Sequence, residues 1–257
     1  MMSKQNGTFV GKEVDPSGHR RADDELGLLD RNYSATTLTR ALARKVRRKL
    51  FGLPLEIEPA FRFGYLIFDR PDLDGGGSGF GQDYIRVLTE IGLHECDRLF
   101  EFCAGPGYIG YSLLSRGFCK HVTLADVNPT AVQAAQRTAD FNGIADRVAV
   151  YLSDGLEQIP ASEKWDLVVG NPPHFLEWNG ELRCEDPDWQ LHRMFYLRVK
   201  RFLNPGARVI LQENARGSSA EVFAPMIQAG GGKHTQTLPG PDIGGGVKMY
   251  YILSQWD

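Results

Sequence analysis

The sequence has no Cys-x-x-Cys pair. Its four cysteines, Cys96, Cys103, Cys119 and Cys184, stand apart, which excludes a zinc knuckle or a redox dithiol by spacing and leaves reduced, buried thiols as the expectation. No metal site is read from the chain. It also lacks any run of about 18 apolar residues, and residues 1–10 show no charged start followed by a long apolar stretch. A cytoplasmic protein without a membrane partner is therefore expected. Positive charge is not in excess either: 29 Lys and Arg against 32 Asp and Glu give a net charge of -3. The chain as a whole then has no attraction for nucleic acid, and only a local patch could supply one. The glycine-rich run at 72–81 contains Gly-x-Gly spacings, but no Lys-Ser or Lys-Thr follows it, which excludes a P-loop.

What is present suffices for one good-sized core with a small appendage, since 42% of the 257 residues are hydrophobic. Residues 1–33 are polar without a sustained period and read as a flexible segment. Over 35–51, Leu38, Leu42, Val46 and Leu50 recur every four residues, a helical stripe. Arg40, Arg44, Lys45, Arg47, Arg48 and Lys49 cover the rest of that surface. This basic helix is either a solvated face or a contact for RNA. Alternation of Phe61, Phe63, Tyr65 and Ile67 reads as one strand, the run at 72–81 as a loop, and 84–91 as a helix. Residues 34–94 thus form an N-terminal extension of helix and strand.

From 95 to 257 the pattern changes to strands and helices in regular alternation, the signature of a parallel sheet wrapped by helices. Strands are expected at 98–103, 121–126, 148–153, 167–170 and 208–212, with helices at 109–115, 129–141, 189–202 and 220–229. The tail differs, because 235–238 and 248–253 flank a turn rich in proline and glycine and read as an antiparallel hairpin.

The chemistry-bearing residues cluster at the ends of these strands. Residues 101–110, Glu-Phe-Cys-Ala-Gly-Pro-Gly-Tyr-Ile-Gly, end the first strand and open the first helix. Gly105 and Gly107 let backbone approach a ligand, and helix-start amides favour polar or anionic groups. With Gly110 they also satisfy Gly-x-Gly-x-x-Gly, so this turn alone does not separate a nicotinamide cofactor from S-adenosylmethionine. Asp126 ends the next strand, where a carboxylate accepts from ribose hydroxyls or caps the helix at Pro129. Asp154, followed by Gly155, ends the third strand and suits either the exocyclic amine of an adenine or a helix cap.

The fourth strand runs into Asn171, Pro172, Pro173, His174 and Phe175. Two prolines past a buried strand stiffen the chain and restrict Asn171 before them. The Asn171 side-chain oxygen and the Pro172 carbonyl can both accept from one NH2 group, which aims the nitrogen lone pair at an electrophile.

On these residues the chain from about Cys96 onward resembles the class I S-adenosylmethionine-dependent methyltransferases. Within them it resembles the Asn-Pro-Pro branch that methylates amino nitrogens, which includes release-factor glutamine and base N-methyltransferases. The resemblance implies a Rossmann-like, mostly parallel sheet and S-adenosylmethionine as cofactor. It puts Glu101 near the methionine portion, Asp126 with Val127 at the ribose, and Asp154 with Gly155 at the adenine. Cys103, Gly105 and Gly107 form the turn beneath the cofactor, and Asn171 with Pro172 meets the substrate nitrogen. Cys103 stands where the branch usually has glycine. His174 stands where it usually has an aromatic ring that stacks on the substrate; an imidazole can stack there or move a proton. Pro173, His174, Phe175 and Trp178 are the expected substrate contacts, with Trp189 and the acidic stretch 181–188 as a further wall or as surface.

The function implied is N-methylation of an amide or amine nitrogen on a protein or a small molecule. An RNA base is the alternative substrate. A nicotinamide-dependent oxidoreductase is the alternative chemistry, and a non-catalytic RNA-binding subunit is a third reading. The nicotinamide reading leaves 171–173 without work.

Overall fold

Strand ends bring the site residues together, and the sheet order decides which of them meet. The computed structural model describes residues 57–70, 73, 78–173, 175, 185–242 and 248–256. The segment 1–33, the basic helix at 35–51, His174 and Trp178 lie outside the described residues.

The chain enters through a hairpin, β1 (Glu58–Arg62) and β2 (Tyr65–Asp69), paired antiparallel from Glu58↔Asp69 to Arg62↔Tyr65. The single strand expected over 61–67 is thus two. Phe63 and Gly64 sit at φ 54° and 80°, a left-handed turn that breaks the alternation in mid-run. Helix α1 spans Ser78–Glu90, so the end of the expected loop at 72–81 is helical. Its glycines lower intrinsic propensity, but the buried face of Tyr84, Val87 and Leu88 holds the helix to the core.

Alternation then proceeds as read: β3 (Cys96–Phe102), α2 (Tyr108–Ser115), β4 (Cys119–Asp126), α3 (Pro129–Phe141), β5 (Val148–Leu152), β6 (Trp165–Gly170), α4 (Gln190–Val199), β7 (Leu203–Asn214), α5 (Ala220–Ala229), β8 (Gly232–Asp242) and β9 (Lys248–Trp256). Helix α3 starts cleanly because the Asn128 side chain accepts from Thr130 N–H and proline occupies the first turn. One sheet orders the strands β5-β4-β3-β6-β7-β9-β8. All contacts are parallel except those of β9, which runs antiparallel to both β7 and β8. The expected Rossmann-like sheet with an antiparallel C-terminal hairpin is therefore present.

Side chains from the two faces make two cores. Leu99, Val122, Leu124, Val169 and Ile210 pack under α1, α2 and α3. Phe100, Phe102, Trp165, Val168 and Val209 pack under α4 and α5. In the second core Phe100 stacks on Trp165 with centroids 4.0 Å apart, and Phe202 continues the stack at 4.9 Å. Trp189, an expected substrate wall, is buried there against Phe223.

The order reverses between β3 and β6, since β4 and β5 extend one way from β3 and β6 and β7 the other. A crevice opens at such a point beyond the carboxyl ends of the strands. The turn after β3 and the Asn-Pro-Pro run after β6 both end there.

Candidate active site

The turn between β3 and α2 is shaped by close contacts. Gly107 takes φ 87°, and a Cβ there would lie 2.8 Å from Leu124 Cδ1. At Gly110 a Cβ would stand 2.7 Å from Glu101 Oε2 and 2.7 Å from Leu124 Cδ2. That space is filled by the carboxylate of Glu101, which is 2% exposed. Its oxygens accept from Ile109 N–H at 3.2 Å and Gly110 N–H at 2.6 Å. Glu101 thus lies under the first turn of α2 and satisfies amides that the helix leaves open. Burial pushes its carboxyl up to about 8, against the pull of those two amides.

Cys103 explains its own departure from the usual glycine. Its φ is 54°, left-handed backbone that costs a non-glycine residue about 1 kcal/mol or more. Burial pushes its thiol well up, and the carboxylates of Asp126, Asp186, Glu213 and Asp154 add to the effect. Cys96, Cys103 and Cys119 are free thiols, as their spacing implies.

Asp126 holds the turn from the side. One carboxylate oxygen accepts from Gly105 N–H at 2.7 Å and the other from Asn128 N–H at 2.8 Å. Each oxygen keeps a further lone pair for a hydroxyl. Burial raises its pKa, and the amides oppose that shift. Val127 and Leu152 stand 65% and 52% exposed at the ends of β4 and β5, apolar edges of the kind a planar heterocycle covers. Asp154 is exposed at the next strand end. It borders a 410 Å³ pocket with Gly155, Leu156, Glu185, Leu191 and Phe195. Asp126 and Asn171 do not line that pocket, so it adjoins the crevice at its Asp154 end. Exposed carboxylate, apolar edges and glycine turn together fit an adenosyl group on Asp126, Val127 and Asp154.

Across the crevice β6 ends at Gly170, where a Cβ would lie 2.5 Å from the Phe102 carbonyl. The β3–β6 register ends at the Phe102↔Gly170 pair, and Cys103 and Asn171 are the next residues of the two chains. Asn171 is partly buried, and its Oδ1 has no hydrogen-bond partner among the described residues. A buried acceptor left open costs about 1–3 kcal/mol, so this oxygen is fitted to a donor brought by a ligand.

The sequence reading missed two supports of this strand end. The Tyr84 hydroxyl, on α1, accepts from Gly170 N–H at 3.1 Å and lies 2.6 Å from the Gly170 carbonyl and 2.9 Å from that of Ile210. Gln212, the residue after the Gly170↔Leu211 pair on β7, donates to the Tyr251 hydroxyl at 2.6 Å, which donates in turn to Asp83. This direction leaves Gln212 Oε1 buried and without a partner among the described residues, as Asn171 Oδ1 is. A tyrosine in a helix and a glutamine in a strand carry no local pattern that marks them.

Among the described residues no group of three metal-ligating side chains occurs, and no helix is long and apolar enough to cross a membrane.

The methyltransferase small domain family matches residues 85–183. The release factor glutamine methyltransferase of Clostridium acetobutylicum is 33% identical over 92 residues, 35% of this chain and 32% of the relative. The ribosomal RNA small subunit methyltransferase C of Hahella chejuensis is 32% identical over 117 residues, 46% of this chain and 31% of the relative. The chain thus matches about a third of the length of these relatives. Among solved structures, a T. thermophilus 16S rRNA N2 methyltransferase in complex with AdoMet (S-adenosylmethionine) and guanosine aligns with a TM-score of 0.54. Its identity is 16%, over 77% of this chain and 50% of that one. At that identity the likeness is one of fold.

Proposed function

We propose that the chain, whose residues 85–183 match the methyltransferase small domain family and whose sheet has the fold of a class I S-adenosylmethionine-dependent methyltransferase, methylates a nitrogen of an amide or amine. The observation that carries this reading is the buried Oδ1 of Asn171, just past the end of β6 and without a hydrogen-bond partner among the described residues. An NH2 group is the donor it lacks.

S-adenosylmethionine, when bound, supplies the methyl group. The chain's own residues do the rest by orientation. Asp126 takes the ribose hydroxyls while keeping Gly105 and Asn128 in place. Val127 and Asp154 with Gly155 receive the adenine. Glu101 lies near the methionine portion and holds the first turn of α2 through the Ile109 and Gly110 amides. Asn171 Oδ1 and the Pro172 carbonyl accept the two hydrogens of the substrate nitrogen, so that its lone pair faces the methyl group. Pro173, His174, Phe175 and Trp178 remain the proposed contacts to the substrate body.

Protein and small molecule are the preferred substrate classes, with an RNA base as the second reading. The second is favoured by a specific finding, since one relative is a ribosomal RNA enzyme and the aligned structure binds guanosine. No such finding supports the nicotinamide reading. Incubating the protein and methyl-labelled cofactor with a lysate fractionated into protein, RNA and small molecules tests the proposal. Label in one fraction that disappears with Asn171→Ala supports it, and label that persists with that variant contradicts it.

A further inference from the structure

His192, on α4, has no exposed surface and lies between two equally buried carboxylates. Its Nδ1 is 2.6 Å from Asp186 Oδ2, and its Nε2 is 3.0 Å from Glu213 Oε1 on β7. Burial alone would pull the imidazole down; the carboxylates of Glu213 and Asp186 outweigh it and hold it up to about 9. Both ring nitrogens therefore carry protons at neutral pH, each directed at a carboxylate. The surroundings are aromatic, with Phe223 stacked at 4.5 Å and Trp189 edge-on at 5.4 Å. Apolar side chains of the same volume would fill such a space at lower cost than a buried cation and two anions.

What the cluster holds is the chain that leaves β6. The Asp186 carboxylate also accepts from Leu191 N–H at 2.8 Å and His192 N–H at 3.0 Å. Asp186's own amide donates to the Phe175 carbonyl at 2.8 Å, two residues beyond Pro173. Directly after it, Asp188 and Trp189 take φ 56° and 54°. Non-glycine residues persist in that conformation where their neighbours over-determine it, and such strain gathers at functional sites. Glu213, at the far side of the cluster, follows Gln212 at the end of β7. One continuous set of bonds thus runs from Phe175 through Asp186 and His192 to the strand beside Asn171.

We propose that Asp186, His192 and Glu213 form a clasp that fixes the edge of the site at 171–175 against the end of β7, with His192 as its positioning residue. The proposal rests on the methyl-transfer reading for what is being positioned. Other titratable groups interacting with the clasp are Cys103 after β3, Tyr84 on α1, Tyr196 on α4 and Tyr250 on β9, all pushed upward by burial; burial also raises Glu213 within the clasp, against the pull of His192.

Hydrogen exchange of the Asp186 amide, followed by mass spectrometry on the full chain, tests the clasp. The double variant His192→Phe/Glu213→Leu replaces a charge pair by apolar groups while Asp186 keeps the amides of residues 191 and 192, and should fold and bind S-adenosylmethionine with calorimetric affinity close to wild type. Exchange at Asp186, corrected for intrinsic rate, should rise at least tenfold. In the wild type the same protection should fall as pH passes about 9. A folded double variant with unchanged exchange overturns the proposal. If that variant does not fold, the wild-type pH series decides alone: flat protection from pH 7 to about 10 overturns it equally. Failure of the wild type to bind S-adenosylmethionine would instead overturn the methyl-transfer reading and leave the exchange result standing.

Discussion

Asp126→Asn separates the two tasks given to one carboxylate. In the native chain its oxygens accept from Gly105 N–H at 2.7 Å and Asn128 N–H at 2.8 Å. Asparagine offers one acceptor and one NH2, so one of these amides must face a donor. Leaving a buried amide unpaired costs about 1–3 kcal/mol, which for a chain of this size lowers Tm by roughly 2–12 °C. The ribose hydroxyls lose an ionised acceptor at the same time, a loss of roughly ten- to a hundredfold in affinity for S-adenosylmethionine. Thermal denaturation by circular dichroism measures the first effect and titration calorimetry the second. A lower Tm with unchanged affinity would make Asp126 a support of the glycine turn only. An unchanged Tm would refute the hydrogen-bonding argument itself.

Gly110→Ala should destabilise although alanine is the better helix former by about 1 kcal/mol. The new Cβ meets Glu101 Oε2 at 2.7 Å and Val122 Cγ2 at 2.9 Å, an overpacking of about 1–3 kcal/mol, and a higher Tm would contradict the contact. Cys103→Gly should stabilise by about 0.5–1 kcal/mol, since relief of left-handed backbone at φ 54° exceeds the added flexibility of glycine; urea denaturation showing a loss would argue against it. His192 makes stability depend on pH. Its folded value of about 9 lies above the unfolded value of about 6.5, so the contribution is whole below about 6.5 and is lost as pH rises through about 9. It amounts to roughly 3 kcal/mol, and wild type and His192→Phe/Glu213→Leu with identical pH dependence would refute it.

The sequence made the parallel sheet legible because each buried strand is a short apolar run between turn residues. Helices 129–141 and 220–229 match in full, the first marked by Asn128 and Pro129 and the second closed by Gly230. Asn171 was legible through the two prolines that follow it. The turn at Phe63 and Gly64 was hidden because aromatic residues continue the alternation across it. Strand β7 begins at Leu203 rather than at the expected 208, and a register shift between Trp165 and Leu167 on the paired strand accompanies the added residues. Glu101 was read as lying near the methionine portion of the cofactor; its carboxylate also accepts from the Ile109 and Gly110 amides at the start of α2, a support that the strand-end position did not signal. Asp186, His192 and Glu213 lie up to 27 residues apart in sequence, and no local pattern links them. Only the return of β7 beside β6 brings them together.

Turnover by Asn171→Ala is the most direct test of nitrogen methylation. Asn171 Oδ1 makes no bond within the described chain, so its removal should leave Tm and calorimetric affinity for S-adenosylmethionine near wild type. Transfer of labelled methyl to the accepting fraction should fall by orders of magnitude, because the lost contact acts on the substrate nitrogen in the transition state. Near-full transfer by the folded, cofactor-binding variant would contradict the account and reduce the Asn-Pro-Pro run to a rigid turn.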